Sequence, residues 1–398
     1  MLNVAMKMLK GDRAKYIGLL FGITFTSFLV TFAGSYFCGF LTRGFALISE
    51  NPAADVWVMD PAVDSAEVTT NLPDSVLSRV RSVEGVLFAA PLALATADAR
   101  FPNGRFQSFQ LICVDDATLS GLPSLQGGVS PTMLRTPDAV AIDAGGTDGK
   151  LETPTMAGDQ WPFAQPHLNV PTRELAAGDE LLVNDHRVMV RGRTNALPRY
   201  PPRPLMYTTL SNAKRILLPE RHLLTFVLAK AAPGVSPREL AARIQAQTGL
   251  RARSSDDFIY DTVYWYLVNS EDVGDMASMI SIAMFVGFGV TGVMLYMFTR
   301  EALKQYAVLK AMGANSRMLL SMIFVQTGLC ALLGTGLGLG LCAIVGQLAI
   351  WEFDYPFRMM WFTPVIGGLS VLLVSLVAAA ISARPVLKLE PGVVFGGR

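Results

Sequence analysis

Residues 318–350 read MLLSMIFVQTGLCALLGTGLGLGLCAIVGQLAI, an apolar run with no charged side chain. A helix needs roughly 20 such residues to cross about 30 Å of hydrocarbon. Three further stretches pass the same test: Tyr16–Thr42, Met276–Thr299 and Met359–Ala383. Composition agrees with the runs. Hydrophobic residues make up 51% of the 398, mean hydropathy is +0.39, and only 16% are charged against about 25% in an ordinary soluble domain. The expected fold is four transmembrane α-helices with a large α+β domain between the first and second. Domain limits follow: residues 1–42 for a short interfacial helix and span one, 43–272 outside, and 273–398 for spans two to four.

Lys and Arg in short loops set orientation. Lys7, Lys10, Arg13 and Lys15 precede span one; Arg300, Lys304, Lys310 and Arg317 lie between spans two and three; Arg384, Lys388 and Arg398 follow span four. The loop between spans three and four holds Glu352 and Asp354 with a single Arg358. Both termini are therefore expected inside. Span one is too long for a secretory h-region and reads as a retained anchor. Leu2, Ala5, Met6 and Leu9 recur at helical spacing, which suits a helix lying on the lipid surface over residues 1–15. Tyr264, Trp265, Tyr266, Trp351, Tyr355 and Trp361 sit where headgroup-level aromatics would; a protein contact would explain them too.

Two strand–helix–strand patterns flank the outer segment. The first is Asp55–Met59, Asp74–Val83 and Val86–Ala95, with Phe109–Val114 as a further strand; the second is Thr225–Ala229, Ser236–Thr248 and Arg251–Ser254. One lobe (about 43–114 and 205–255) is thus expected to be interrupted by an inserted lobe (about 115–204). Within the insert, Asp138–Asp143 reads as a strand, Glu180–Gly192 as a hairpin turning at Asn184-Asp185-His186, and Pro198–Pro204 as an extended connector. Asp256, or the serines before it, starts a helix expected to continue toward span two.

Function classes narrow by exclusion. Net charge is +1 and no basic arm appears, which argues against nucleic acid. His167, His186 and His222 have no ligand spacing, and Cys38, Cys113, Cys330 and Cys342 imply no disulfide framework. Asp115-Asp116 and Asp256-Asp257 read as turn or capping pairs. No phosphate loop is present, so the chain is expected to bind no nucleotide and to catalyse nothing itself. Gly334-Thr335-Gly336-Leu337-Gly338 lies inside an apolar span, where Gly334 and Gly338 make a small-xxx-small surface; Gly18 and Gly22 offer another in span one. A dimer seam and packing within the chain fit these glycines equally well. The uncharged spans argue against an ion channel or proton-coupled carrier.

The informative segment is Arg300–Ala314, REALKQYAVLKAMGA. No breaker closes span two at its inner end, so its helix should run on until Gly313 stops it, with Asn315 or Ser316 capping the next helix. Two readings are open: a stiff elbow for a partner to push, or an ordinary basic turn. Leu309-Lys310-Ala311-Met312-Gly313-Ala314 resembles the motif that follows the second helix in the MacB/FtsX/LolC superfamily of ABC transporter permeases. Ala383–Pro391 (ARPVLKLEP) resembles that family's ending, and the four-helix layout matches over essentially the whole chain. Asp55–Pro61 (DVWVMDP) and Gln305-Tyr306 look most like the DevC-like branch; many relatives carry an acidic residue where Gln305 stands.

The resemblance implies a non-catalytic permease subunit in the inner membrane, in contact with lipid. It implies a coupling loop at about 300–317, with Leu309–Ala314 touching a separate cytosolic ABC ATPase that uses the ATP. It also implies a second permease copy as homodimer, and an outer domain built of porter and inserted subdomains. The expected function is ATP-driven export or extraction of a substrate with a periplasmic adaptor and a TolC-like outer-membrane duct. The alternative is an FtsX-like mechanotransmitter that regulates an outside enzyme such as a cell-wall hydrolase.

Overall fold

The computed structural model describes residues 13–147, 149–155, 168–217 and 224–387. The expected interfacial helix over 1–15 and the chain from Lys388 onward lie outside the described residues, save for the helical backbone of 13–15. Two compact units form: Leu41–Ser270, and Met1–Phe40 together with Glu271–Arg398. The chain enters the first unit in the last turn of α1 (Arg13–Gly44) and passes through the short α2 (Ala46–Ser49).

In the outer unit β1 (Val56–Met59) alternates faces. Val56 and Val58 face one cluster with α3 (Ser75–Arg81), while Trp57 and Met59 face another. β2 (Val86–Arg100) is long enough to serve two sheets. Its first half pairs with β10 (Phe226–Ala231), its second with β3 (Phe106–Val114). β4 (Ala139–Asp143) follows, then the small β5–β6 ribbon (Glu152–Pro154, Thr172–Glu174) and the hairpin of β7 (Glu180–Val183) and β8 (His186–Arg193). Asn184 and Asp185 both take positive φ, 46° and 65°, as a two-residue type I′ turn requires. β9 (Leu205–Thr209) leads into α4 (Leu210–Ile216), whose first turn is capped by Thr209 accepting from the Asn212 N–H.

The strand order is β11-β1-β10-β2-β3-β9-β4-β8-β7, and β7 returns to pair with β2 at Ala99↔Val183 and Arg100↔Leu182. Strands β2, β3, β9, β4, β8 and β7 therefore close into a six-stranded barrel. Alanines at 93, 97 and 99 leave room inside for Phe109, Leu111 and Met206. This corrects the expected two lobes: strands from 115–204 do not form a lobe of their own but complete a barrel begun by β2 and β3. An open pair of strands would have left unpaired N–H and C=O groups along its edge, and closure removes that edge.

The remaining strands carry α5 (Pro237–Thr248) and α3 on one face, through Val76, Val80, Leu240 and Ile244. α5 has its cap from Ser236, whose Oγ accepts from the Glu239 N–H, and stops at Gly249 with φ 70°. The other face holds Trp57, Phe226 and Phe258, with ring centroids 5.3–5.9 Å apart. The free edge β11 (Arg251–Ser254) is short and charged: Arg251 and Arg253 both bond Asp261. A buried pair, Glu50 with Arg199, ties the start of this unit to the Pro198–Pro204 connector, and Tyr207 joins it. Burial pushes the Glu50 carboxyl above the usual carboxylate range, against the pull of Arg199.

α6 (Ser255–Asn269) starts at Ser254, whose Oγ accepts the Asp257 N–H, so the Asp256-Asp257 pair is a helix start. Asp115 accepts from Thr118 in a turn. The helix continues toward span two as far as Asn269; Ser270 then leaves helical geometry at φ −89°, ψ 124°, and α7 (Glu271–Glu301) begins anew. Ser270-Glu271-Asp272 is a helix start, with carboxylates at the positive end of the helix dipole. Of the two readings left open for the aromatics, Tyr266 takes the protein contact: it is buried, and its hydroxyl donates to the Tyr200 carbonyl.

The membrane unit completes with α8 (Leu303–Ala311), α9 (Ser316–Phe353), α10 (Phe362–Ser382) and α11 (Arg384–Leu387). Four helices, including α1, are long and apolar enough to span, and α1 is the most buried of them. Its neighbours approach at small residues. A Cβ added at Gly338 would lie 2.6 Å from Ser27 Cβ, and one at Gly334 2.7 Å from Ile23. Gly22 meets Val290 of α7, and Thr26 of α1 donates to the Gly287 carbonyl. Tyr355 stacks on Tyr36 of α1 at 4.7 Å, a contact within the protein.

A bulky residue at Gly338 must push α1 and α9 apart. Gly338→Val should lower the thermal midpoint of the purified protein, by the equivalent of about 1–3 kcal/mol for overpacking. Gly336→Val, where a Cβ meets nothing within 4 Å, should leave the midpoint unchanged.

Candidate functional site

α8 is a two-faced helix built from nine residues. Leu303, Tyr306 and Ala307 recur at helical spacing; Leu303 and Tyr306 pack into the membrane cluster with Phe298, Leu319, Ile323 and Ala379, and Tyr306 and Ala307 are fully buried. The Tyr306 hydroxyl donates to Gln326 Oε1 of α9 at 3.2 Å, so the anchor is polar as well as apolar. On the other face lie Lys304, Gln305, Val308 and Met312, all exposed, with Met312 at 70%. Span two runs on into this segment as expected: Ala302, at φ −77° and ψ −1°, joins the two helical stretches in right-handed helical backbone, its N–H bonding the Phe298 carbonyl and its carbonyl taking the Tyr306 N–H.

The geometry of 309–314 explains its residue types. The Ala314 N–H bonds the Leu309 carbonyl at 2.9 Å and the Gly313 N–H bonds the Lys310 carbonyl at 3.1 Å, with Gly313 at φ 96°. This is a Schellman motif: Leu309 and Ala314 are its apolar pair, and Gly313 takes the left-handed position that a Cβ would strain. Both members of the apolar pair pack against the membrane cluster. Ala311, Met312 and Gly313 form the exposed outer bend. Asn315 stands at the start of α9 without a side-chain cap; its carbonyl takes the Met318 and Leu319 N–H groups instead. α11 adds Val386 to the same cluster.

The arrangement is mechanical rather than chemical. Each end of the elbow is locked, by Tyr306 on one side and Leu309 with Ala314 on the other, while Val308 and Met312 face outward. Of the four packing glycines, Gly334 and Gly338 lie against α1 of the same chain, and Gly18 and Gly22 face Met294 and Val290 of α7. Cys113 is buried in the outer barrel, and among the described residues no cluster of three metal-ligating side chains forms. Reasoning from sequence missed Tyr306 and Gln326 as anchors. The signal was present: an amide inside an otherwise apolar span demands a partner.

Residues 277–391, which include the elbow, match the family model for the FtsX-like permease C-terminal domain. No curated protein matches the chain. Three of the solved structures that resemble it are the following. The extracellular domain of the noncanonic ABC-type transporter YknZ from Gram-positive bacteria is 13% identical, with 50% of this chain and 98% of that one covered and a TM-score of 0.31. The periplasmic region of MacB from Actinobacillus actinomycetemcomitans is 13% identical, with 57% and 96% covered and a TM-score of 0.36. A domain of a putative permease from Porphyromonas gingivalis is 15% identical, with 51% and 89% covered and a TM-score of 0.27. The class is a protein with four helices, among the described residues, long and apolar enough to cross a membrane, a large α+β unit between the first and second, and an FtsX-like permease C-terminal domain over residues 277–391. The part of the chain that carries this likeness is residues 277–391, which form the FtsX-like permease C-terminal domain.

Gly313→Ala places a Cβ in left-handed backbone at a cost of roughly 1–2 kcal/mol. Amide exchange over residues 303–314 should accelerate several-fold. Met312→Ala should leave that exchange unchanged, since the Met312 side chain is exposed.

Proposed function

We propose that this chain is the permease subunit of a DevC-like ABC transporter, with both termini in the cytoplasm. Two copies work with a separate cytosolic ATPase, a periplasmic adaptor and a TolC-like outer-membrane protein to export or extract a substrate. One observation carries the reading: an outward apolar face, Val308 and Met312, stands on an elbow locked at both ends into the membrane helices. Burying a side chain such as Met312 in a partner is worth about 1.5–3 kcal/mol, and a thioether adapts to irregular grooves. Load applied there passes through Tyr306 and Leu309 into a cluster shared by α7, α9 and α10, so the bundle responds as a body. Toward the outer unit the chain passes through the non-helical residue Ser270 between α6 and α7. ATP-driven movement of the outer domain then acts on substrate already outside.

Met312→Asp should reduce co-purification with the partner ATPase, and stimulation of its ATP hydrolysis, by at least tenfold, with an unchanged melting midpoint. Wild-type assembly and stimulation in that variant would sink the coupling role. For orientation, a reporter fused after Pro154 should signal outside and one fused after Arg398 inside. A cytoplasmic signal at Pro154 would overturn the topology.

A further inference from the structure

Where α4 caps the barrel there is a feature that the coupling mechanism does not use. Between α3, α4 and strands β2 and β3 lies a cavity of about 200 Å³. Its walls are Leu77 of α3, Pro91 and Ala93 of β2, Cys113 of β3, and Leu210 and Ala213 of α4. Ala93 and Cys113 are register partners on neighbouring strands, and with Ala213 above them three small side chains leave the room. Larger side chains, Phe109 and Leu111, fill the barrel beyond.

The wall chemistry selects the ligand. Among the described residues, no buried side-chain nitrogen or oxygen left without a partner lines this cavity. A polar ligand would therefore give up water for nothing. Burial pushes the Cys113 thiol up to about 12, so it stays protonated and is a wall rather than a nucleophile. At the rim stand Asp74 and Lys214, 3.9 Å apart and more than half exposed. Such a pair is weakly held, so both charges are available to a head group. The volume exceeds the engineered apolar cavities of about 150 Å³ that take benzene, yet it is too small for a folded peptide segment. Barrel mouths are recurrent places for ligands of this kind.

We propose that this cavity binds the alkyl chain of a single-chain amphiphile, with its head group at the rim beside Asp74 and Lys214. The site belongs to the outer unit alone and stands whether or not the ATPase coupling does.

The test uses the full chain in lipid nanodiscs and octanoate carrying a diazirine at its chain end, with adducts mapped by peptide mass spectrometry. Adducts should appear on Leu77 and within residues 210–217, and should fall at least fivefold with excess unlabelled octanoate. Ala213→Phe should abolish them while leaving adducts in the membrane helices unchanged, which reports an intact membrane unit. Ala93→Leu fills the same space from the sheet side if Ala213→Phe does not fold. Adducts confined to the membrane helices overturn the proposal, as does labelling that excess octanoate or a folded filling variant does not reduce. If neither variant folds, competition by octanoate in the unmodified chain decides.

Discussion

A bilayer offers a helix no hydrophobic reason to leave lipid for another helix, since acyl chains are as apolar as leucine. What remains is close approach, and in this protein close approach is concentrated on α1. Gly334 and Gly338 of α9, Gly287 of α7 and Gly367 of α10 each come within 2.7 Å of an α1 side chain when a Cβ is drawn on them. The first span is therefore the post around which the other three are hung, although the chain reaches them only after 230 residues of outer domain. Thr26 adds hydrogen bonds to the Gly287 carbonyl and to Thr291 where backbones are near enough. With the packing glycines committed inward, the leucines of α9 at 333, 337, 341 and 348 face lipid.

That bundle gives the elbow its character. A Schellman turn on an isolated helix would fray. Here Leu309, Ala314 and Tyr306 are drawn into a cluster with Phe298, Ile323 and Ala379, so the turn becomes part of the membrane unit. The Met312 side chain takes no part in that packing and stands exposed at the bend. The same division explains the motif: glycine for backbone sign, alanine and leucine for the inner contact, methionine outward.

The outer domain solves a different problem in water. β2 pairs with three strands in turn, and through it the barrel and the flat four-stranded sheet share one backbone. Helices α3 and α5 cover one face of the sheet, while α4 caps the barrel. The Glu50–Arg199 pair and its Tyr207 neighbour fix the connector against the barrel wall. Removing either partner would leave an uncompensated buried charge, which is far more costly than the pair itself.

Sequence alone determined what rests on local chemistry. Charge-free runs marked the four spans, because hydrocarbon tolerates no long exception. Ser236, Gly249 and Gly313 marked helix ends, because caps and left-handed turns are decided within a few residues. The Asn184-Asp185 turn was legible for the same reason, and so was the elbow motif itself. Contacts between distant residues were left to the tertiary structure. Return of β7 to β2 closed a barrel where two lobes were expected, since pairing register across 80 residues leaves no local trace. Tyr266 and Tyr355 found partners in Tyr200 and Tyr36, and Tyr306 found Gln326. Gly334 and Gly338 turned toward α1, because which face of a helix meets which neighbour is settled only when the whole bundle assembles.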